Sequence, residues 1–253
     1  MSSNTLKDLN HSRTAAKVAL REALAAHDGD PRHEIVAAQI TTLSALNPTP
    51  EPARSPLLDG DWQLISAPSF PQGDRLTDGR YCYTLGRLAF NMFQPQNLKV
   101  VIDQVAQPVQ PIGEGSQRSH DIVVNFTTLN EDMPLQGIVR NLGVCEPTSD
   151  TVLKVQFTGG LLEPAEETDL ALWQQVFSNA SQPSRSSLKE WLQGQFLKFM
   201  FGLVPPDRMN PNTGRVEFQM KRSPKGSLTV LYLDEELRIT RGHKETVLIC
   251  ERK

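Results

Sequence analysis

The sequence has no long apolar run, no excess of basic residues and little cysteine, and each of these absences excludes a class of protein. No apolar run approaches the roughly 18 residues that span a bilayer, and one of the longest, Leu228 to Leu233, has the length of a strand. The formal net charge is −3. Because no basic surplus is available to neutralise phosphates, we do not expect nucleic acid as a partner.

The scarce cysteines and the polar start of the chain indicate where the protein resides. Cys82, Cys145 and Cys250 are odd in number and lack metal-ligand spacing, so we interpret them as reduced, packed thiols. Residues 1–10 are polar and contain no apolar signal core, and Asp8 is unlike the acid-poor composition of a transit peptide. We therefore predict an intracellular protein with neither a signal nor a transit peptide.

Motifs that would indicate an enzyme are also missing from the sequence. There is no Gly-x-Ser-x-Gly, no phosphate-binding glycine loop, no dinucleotide fingerprint and no histidine pair at metal spacing. We therefore predict a non-catalytic protein with no catalytic residues, no metal and no cofactor.

The chain divides into helical and strand-rich parts. Apolar residues recur at helical spacing within residues 1–47, which predicts two N-terminal helices. Alternating prolines then make residues 48–56 a stiff linker. Residues 57–253 are expected to form a mainly β (α+β) domain, with a helical insertion at about 168–203.

Short segments rich in β-forming residues follow one another through this domain and are separated by turn residues. No long helix interrupts the first series, so the crossovers of a parallel sheet are missing and an antiparallel meander is the expected topology. Besides the two end segments described next, the predicted strands are 81–85, 98–105, 122–129, 137–144, 152–157, 215–220 and 247–250.

The two ends of the domain carry residues that close small ligand-binding barrels. Gly60-Asp61-Trp62 opens the first strand, and Arg238 and Arg241 lie on the second of two strands that an acidic turn joins near the end of the chain. The two arginines are three positions apart, so they face opposite sides of a regular strand. We predict that Arg241 points inward and stacks on Trp62 in a cation–π contact.

Three blocks resemble the plastid lipid-associated proteins, or fibrillins. The helix running into Asn-Pro-x-Pro at residues 40–50 and the Leu-Leu-x-Gly-x-Trp strand at 57–64 are similar to family motifs. The most specific block is Leu-Asp-x-x-Leu-Arg-Ile-x-Arg-Gly, at residues 233–242. Because the N-terminus lacks a transit peptide, a cyanobacterial-type member is the better match.

The resemblance implies a fold and a function. The family's fold is lipocalin-like, so we expect a lipocalin-like antiparallel barrel. The family's association with thylakoid membranes and lipid globules implies binding of a lipid, carotenoid or quinone and a structural, photoprotective role. It further implies a peripheral position on the cytoplasmic face of the thylakoid, with a protein partner in prenyl-lipid metabolism or photosynthesis.

Alternate positions on the strands are expected to point into the barrel and to meet the ligand. A one-residue slip in the phase of a strand would reverse its inward and outward residues. The predicted interior and ligand-binding residues are Trp62, Leu64, Val101, Val124, Phe126, Val139, Arg140, Val155, Phe218 and Arg241.

A predicted helix from Leu188 to Leu203 combines bulky apolar side chains with basic ones, as helices in a membrane interface do. Its candidates for contact with the membrane are Trp191, Phe196, Phe199 and Phe201. The alternative is a helix that packs over the barrel opening, since a helix docked on a sheet needs the same apolar stripe.

Two other functions remain open. Barrels of similar size attach open-chain tetrapyrroles to light-harvesting proteins, and such an enzyme needs an acid and an arginine facing the cavity. Arg140 with Glu146 or Glu217 is the candidate pair. The other alternative is a barrel filled with side chains whose surface binds a prenyl-lipid-synthesising enzyme or a photosystem subunit.

Overall fold

Antiparallel strands dominate the computed structural model, which describes residues 3–68, 70, 73–129, 134–177, 203–204, 208–222 and 225–253. The helices are α1 Ser3–Ala26, α2 Glu34–Ala45, α3 Leu85–Leu88 and α4 Leu170–Phe177, with a 3-10 turn at Pro56–Leu58. The strands are β1 Gly60–Leu64, β2 Asp74–Arg75, β3 Tyr81–Thr84, β4 Lys99–Val109, β5 Arg118–Ser119, β6 Ile122–Thr128, β7 Gln136–Pro147, β8 Val152–Pro164, β9 Leu203–Val204, β10 Val216–Met220, β11 Lys225–Leu233, β12 Leu237–Gly242 and β13 Val247–Arg252.

Eight of these strands close into a ring, which confirms the predicted antiparallel barrel. Around the ring the order is β1, β4, β6, β7, β8, β11, β12 and β13, and β13 pairs again with β1. Every pairing in the ring is antiparallel. Closure leaves no free edge in the ring, so the backbone groups of the first and last strands satisfy each other.

The barrel wall continues beyond the ring at one end because β4 and β8 are long. The part of β4 that begins at Lys99 pairs with β3, and its later part pairs with β1 on the same edge. In the same way, β8 pairs first with β11 and then with β10. An aromatic core fills this end, where the ring of Phe93 lies edge-on to Phe218 and Trp173 lies against Phe177.

The two N-terminal helices pack on the outside of the barrel. Leu20 of α1 and Leu43 of α2 are fully buried against Tyr232 and Ile239 on the outer faces of β11 and β12. These strands are therefore buried on both faces, one toward the barrel and one toward the helices. Among the described residues, no helix has the length and apolar character that a bilayer crossing requires.

Residues from separate parts of the sequence meet at the turn between β11 and β12. The side-chain oxygen of Asn47 accepts a hydrogen bond from the Leu233 amide at 3.1 Å, and the Thr49 hydroxyl donates to the Leu233 carbonyl at 2.6 Å. Asp234 accepts from the backbone of Leu237 and pairs with Lys17 of α1 at 3.0 Å. The start of the proline-rich segment is therefore bonded to the end of β11.

Candidate ligand cavity in the barrel

Trp62 closes one end of the barrel. Its side chain is fully buried, and its indole nitrogen donates to the Leu58 carbonyl at 2.8 Å. The guanidinium carbons of Arg238 and Arg252 lie 4.9 and 4.3 Å from the ring centre, within the range of a cation–π contact. Trp62 stacks on arginine as predicted, but the prediction that Arg241 makes this contact was wrong.

Arg241 points away from Trp62. The side chain is 44% exposed and approaches Glu245 at 3.7 Å. The pairing of β12 with β13 is continuous, so strict alternation places Arg238 inside with Thr240 and leaves Arg241 outside. Sequence reasoning also missed Arg252, which is the residue directly opposite Trp62 in the pairing of β1 with β13.

Arg252 is held by backbone oxygens. Its guanidinium donates to the carbonyls of Leu57, Asp59 and Glu235 at 2.6, 2.6 and 2.7 Å. Gly60 permits this approach because a Cβ at that position would overlap the Arg252 side chain, and its φ of +137° is one that other residues rarely adopt. Gly60 and Trp62 of β1 thus both serve the contact between Trp62 and Arg252.

Arg238 is more deeply buried than Arg252 and makes fewer hydrogen bonds. It is 2% exposed, and its guanidinium donates to the side-chain oxygen of Gln107 at 2.6 Å. Its Nε has no hydrogen-bond partner, and within the described part of the chain no carboxylate forms an ion pair with it. Burial lowers the pKa of Arg238, although a guanidinium remains charged at neutral pH.

His120 shares this interior. It is 5% exposed, and burial, followed by the positive charge of Arg238, lowers the pKa of His120 to about 3. The imidazole is therefore neutral at physiological pH. Neither Gln107 nor His120 was singled out from the sequence. The signal for Gln107 is its alternation with Val105 and Val109, which makes it a polar residue in an apolar series.

A cavity of about 160 Å³ lies beside Gln107. Leu64, Gln107 and Leu248 belong to the inner faces of their strands, and Phe70 and Thr246 come from the segments that follow β1 and β12. The other lining residues are Val105 and Ile122. The lining is apolar apart from Gln107 and Thr246, so the cavity fits an apolar group with one polar end.

A second, larger space is a surface groove between α1 and the barrel, with a volume of about 530 Å³. Its charged side chains already pair with one another, Arg21 with Glu251 and Arg75 with Asp28. The groove is open to solvent and its charges are satisfied. The smaller barrel cavity, with its unpaired cation nearby, is therefore the better candidate for a ligand site.

Most of the predicted interior residues occupy the core of the barrel. Leu64 lines the cavity. The structure places Trp62, Val124, Phe126, Val139, Val155 and Phe218 in the buried core, each at most 6% exposed. Direct contact of these residues with a ligand stays a prediction.

Val101 and Arg140 do not point into the barrel. The inner residues of β4 near Val101 are Val100 and Ile102, so Val101 faces outward. A bulge between Ile102 and Gln104 reverses the phase of this strand, which is why a regular pattern misplaces it. Arg140 is adjacent to the inward Val139, so it faces outward too.

The acid–arginine pairs that a tetrapyrrole-attaching enzyme would need lie elsewhere. Arg140 pairs with Glu163 at 3.0 Å, Glu146 pairs with Lys154, and Glu217 pairs with Arg215. All three acids remain partly solvent-exposed. Within the residues that the structure describes, none of these predicted pairs faces the cavity.

The predicted membrane-contact residues Trp191, Phe196, Phe199 and Phe201 lie outside the described residues. The helical part of the predicted insertion that is described is α4, which ends at Phe177.

Comparison with known proteins gives one family. The PAP_fibrillin family model matches residues 16–251, nearly the whole chain. No curated protein and no solved structure matches the chain significantly.

Proposed function

The chain belongs to the PAP/fibrillin family, and we propose that it binds a small hydrophobic molecule in the barrel cavity. The family is lipid-associated and generally structural, so the proposed role is non-catalytic. The observation that carries the proposal is the apolar cavity inside a closed barrel, with the polar side chain of Gln107 at one wall. This is the arrangement of a site that takes an apolar body and fixes one polar end.

The volume of the cavity limits what it holds. At about 160 Å³ it resembles an engineered cavity of about 150 Å³ that accepts one benzene. It is smaller than the pockets of roughly 300 Å³ or more that enclose whole ligands. We therefore propose that one end of a lipid, carotenoid or quinone enters the barrel while the rest of the molecule stays outside.

A ligand held in this way stays close to the surface from which it came. The proposed location is accordingly a lipid surface, in a cyanobacterial-type member the cytoplasmic face of the thylakoid or a lipid globule. There the protein has a structural and photoprotective role and meets a partner of prenyl-lipid metabolism or photosynthesis. Family membership and the partly enclosed apolar cavity support this placement.

Filling the cavity tests the proposal. Val105 is 7% exposed and lines the cavity, so Val105→Phe places a ring where the ligand would lie. We expect the wild-type protein to bind a small apolar probe such as hexanamide with saturation in isothermal titration calorimetry, and Val105→Phe to lose at least tenfold in affinity. Val18→Phe, at a 47% exposed valine of α1, is the matched control.

Retained binding in Val105→Phe would place the probe elsewhere on the protein. Absence of saturable binding to the wild-type protein, by hexanamide and by longer lipids, quinones or carotenoids alike, would contradict the proposal. The filled barrel with a protein-binding surface would then be the better account.

A further inference from the structure

Arg238 is a cation enclosed by the barrel, and in the part of the chain that the structure describes no anion pairs with it. Moving a charge out of water is costly unless an opposite charge or a full set of hydrogen bonds compensates it. Arg238 has the bond to Gln107, the neighbouring Cys250 thiol and the face of Trp62, while its Nε is unbonded. Among the described residues, its surroundings therefore lack a negatively charged acceptor.

None of the described titratable groups around Arg238 supplies that charge. Arg252 is a second cation, and His120 is neutral. Burial raises the pKa of Cys250 and raises that of Cys145 to about 11, so both thiols are protonated at neutral pH. The nearby Asp59 is already paired with Arg118 at 2.6 Å. The electrostatic potential of this interior is consequently positive.

Gln107 connects Arg238 to the cavity. A guanidinium only donates hydrogen bonds, so the side chain of Gln107 must present its oxygen to Arg238. The carboxamide nitrogen of Gln107 is then the donor left for a molecule in the cavity that Gln107 lines. An acceptor placed there receives a hydrogen bond from Gln107 and feels the charge of Arg238 behind it.

We propose that the barrel recognises an aliphatic carboxylate, whose head group binds the Gln107–Arg238 pair and whose chain lies against Leu64, Val105 and Leu248. This inference rests on the proposed binding of hydrophobic molecules and names the chemical class of the ligand. A carboxylate matches the observations better than a neutral group because it supplies the missing negative charge as well as an acceptor.

The first experiment compares two probes that differ only in charge. Hexanoate and hexanamide have nearly the same shape and length, and both fit a cavity of this size. We expect the wild-type protein to bind hexanoate at least tenfold more tightly than hexanamide at pH 7.5 in isothermal titration calorimetry. The preference is expected to weaken as salt is added, because added ions screen the attraction.

The second experiment supplies the missing anion from the protein. Gln107→Glu places a carboxylate beside Arg238 with little change in side-chain shape. We expect this variant to lose hexanoate binding at least tenfold, and with it the wild-type preference for hexanoate over hexanamide. Gln110→Glu makes the same change at an exposed position three residues further on and is expected to bind both probes as the wild-type protein does.

The possible results separate the two proposals. Equal binding of hexanoate and hexanamide to the wild-type protein would overturn the carboxylate inference and leave the proposed function standing. Undiminished hexanoate binding by a folded Gln107→Glu would overturn it as well. If neither probe binds, and neither do longer acids, lipids, quinones or carotenoids, the proposed function fails first. The wild-type comparison needs no variant, so it decides the matter even if Gln107→Glu does not fold.

Discussion

Arg252 and Arg238 lie against the same tryptophan ring, but their guanidinium groups are satisfied in opposite ways. Arg252 donates to three backbone carbonyls near the rim of the barrel. Arg238, deeper in the barrel, has side-chain contacts with Gln107 and the Cys250 thiol and an unbonded Nε. The difference teaches that two arginines on one ring differ in how fully their guanidinium groups are hydrogen-bonded, with Arg252 fixed by backbone carbonyls and Arg238 left with a free Nε.

The largest expected effect comes from removing the ring that the two arginines share. Trp62→Ala leaves a cavity in the core and unstacks both guanidinium groups. We expect a loss of about 4 kcal/mol in the free energy of unfolding, measured by urea denaturation. A loss below about 1 kcal/mol would show that Trp62 does not hold this end of the barrel together.

The next prediction distinguishes Arg252 at the rim of the barrel from Arg238 in its interior. Arg252→Met keeps much of the side-chain volume and deletes the bonds to three carbonyls, so we expect a loss of about 3 kcal/mol in urea denaturation. The control is Arg241→Met at the exposed arginine of β12, where a change within about 0.5 kcal/mol is expected. Similar losses in both variants would remove the distinction between a closing and a surface arginine.

We expect a lower pH to destabilise the folded protein, because His120 lies in an interior that Arg238 makes positive. The pKa of His120 is about 3 in the folded protein and about 6.5 in the unfolded chain. Between these values the unfolded chain binds the extra proton, so this stabilising contribution is complete above pH 6.5 and is lost as the pH falls. We expect the contribution to decrease by about 1.4 kcal/mol per pH unit well below 6.5.

Thermal unfolding or urea denaturation between pH 7 and 4 measures this dependence, with His120→Gln as the variant that lacks it. Arg238 contributes the smaller part of the shift after burial, so replacing Arg238 should make the dependence shallower. An identical dependence in wild type and His120→Gln would show that other groups control the acid response.

The smallest expected change in stability is at Arg238. Arg238→Met removes a buried charge that lacks an ion-pair partner, and exchanging such a charge for an apolar side chain is often close to neutral. We expect a change within about 1 kcal/mol in urea denaturation, together with loss of the hexanoate preference. A loss as large as that of Arg252→Met would assign both arginines to closure.

The sequence predicted which segments form strands, but it did not predict which residues of each strand face the barrel interior. Alternating β-formers and turn residues located most of the barrel strands, and Gly60 with Trp62 located the closed end. The choice between Arg238 and Arg241 was wrong because β12 is buried on both faces, one by the barrel and one by the helices. The apolar Leu237 and Ile239 of β12 face the helices, while Arg238 and Thr240 face the barrel, so a pattern that places apolar residues inside misassigns this strand.

Bulges explain the remaining error in the predicted interior. Val101 and Val105 are four residues apart and would share a face of a regular strand, yet only Val105 faces inward. The extra residue between Ile102 and Gln104 exchanges the two faces. Arg140 fails for a simpler reason, since a residue next to the inward Val139 has to face the other side.

The order of polar and apolar residues by itself predicted antiparallel strands, and the three motif blocks pointed to the PAP/fibrillin family and its barrel. Those features depend on local propensity and on short motifs, which a sequence carries directly. Only the tertiary structure decided which arginine meets Trp62, that Gln107 stands between Arg238 and a cavity, and that no described acid neutralises Arg238. Those features depend on register, bulges and the packing of helices on the barrel, which arise from pairings between residues far apart in the chain.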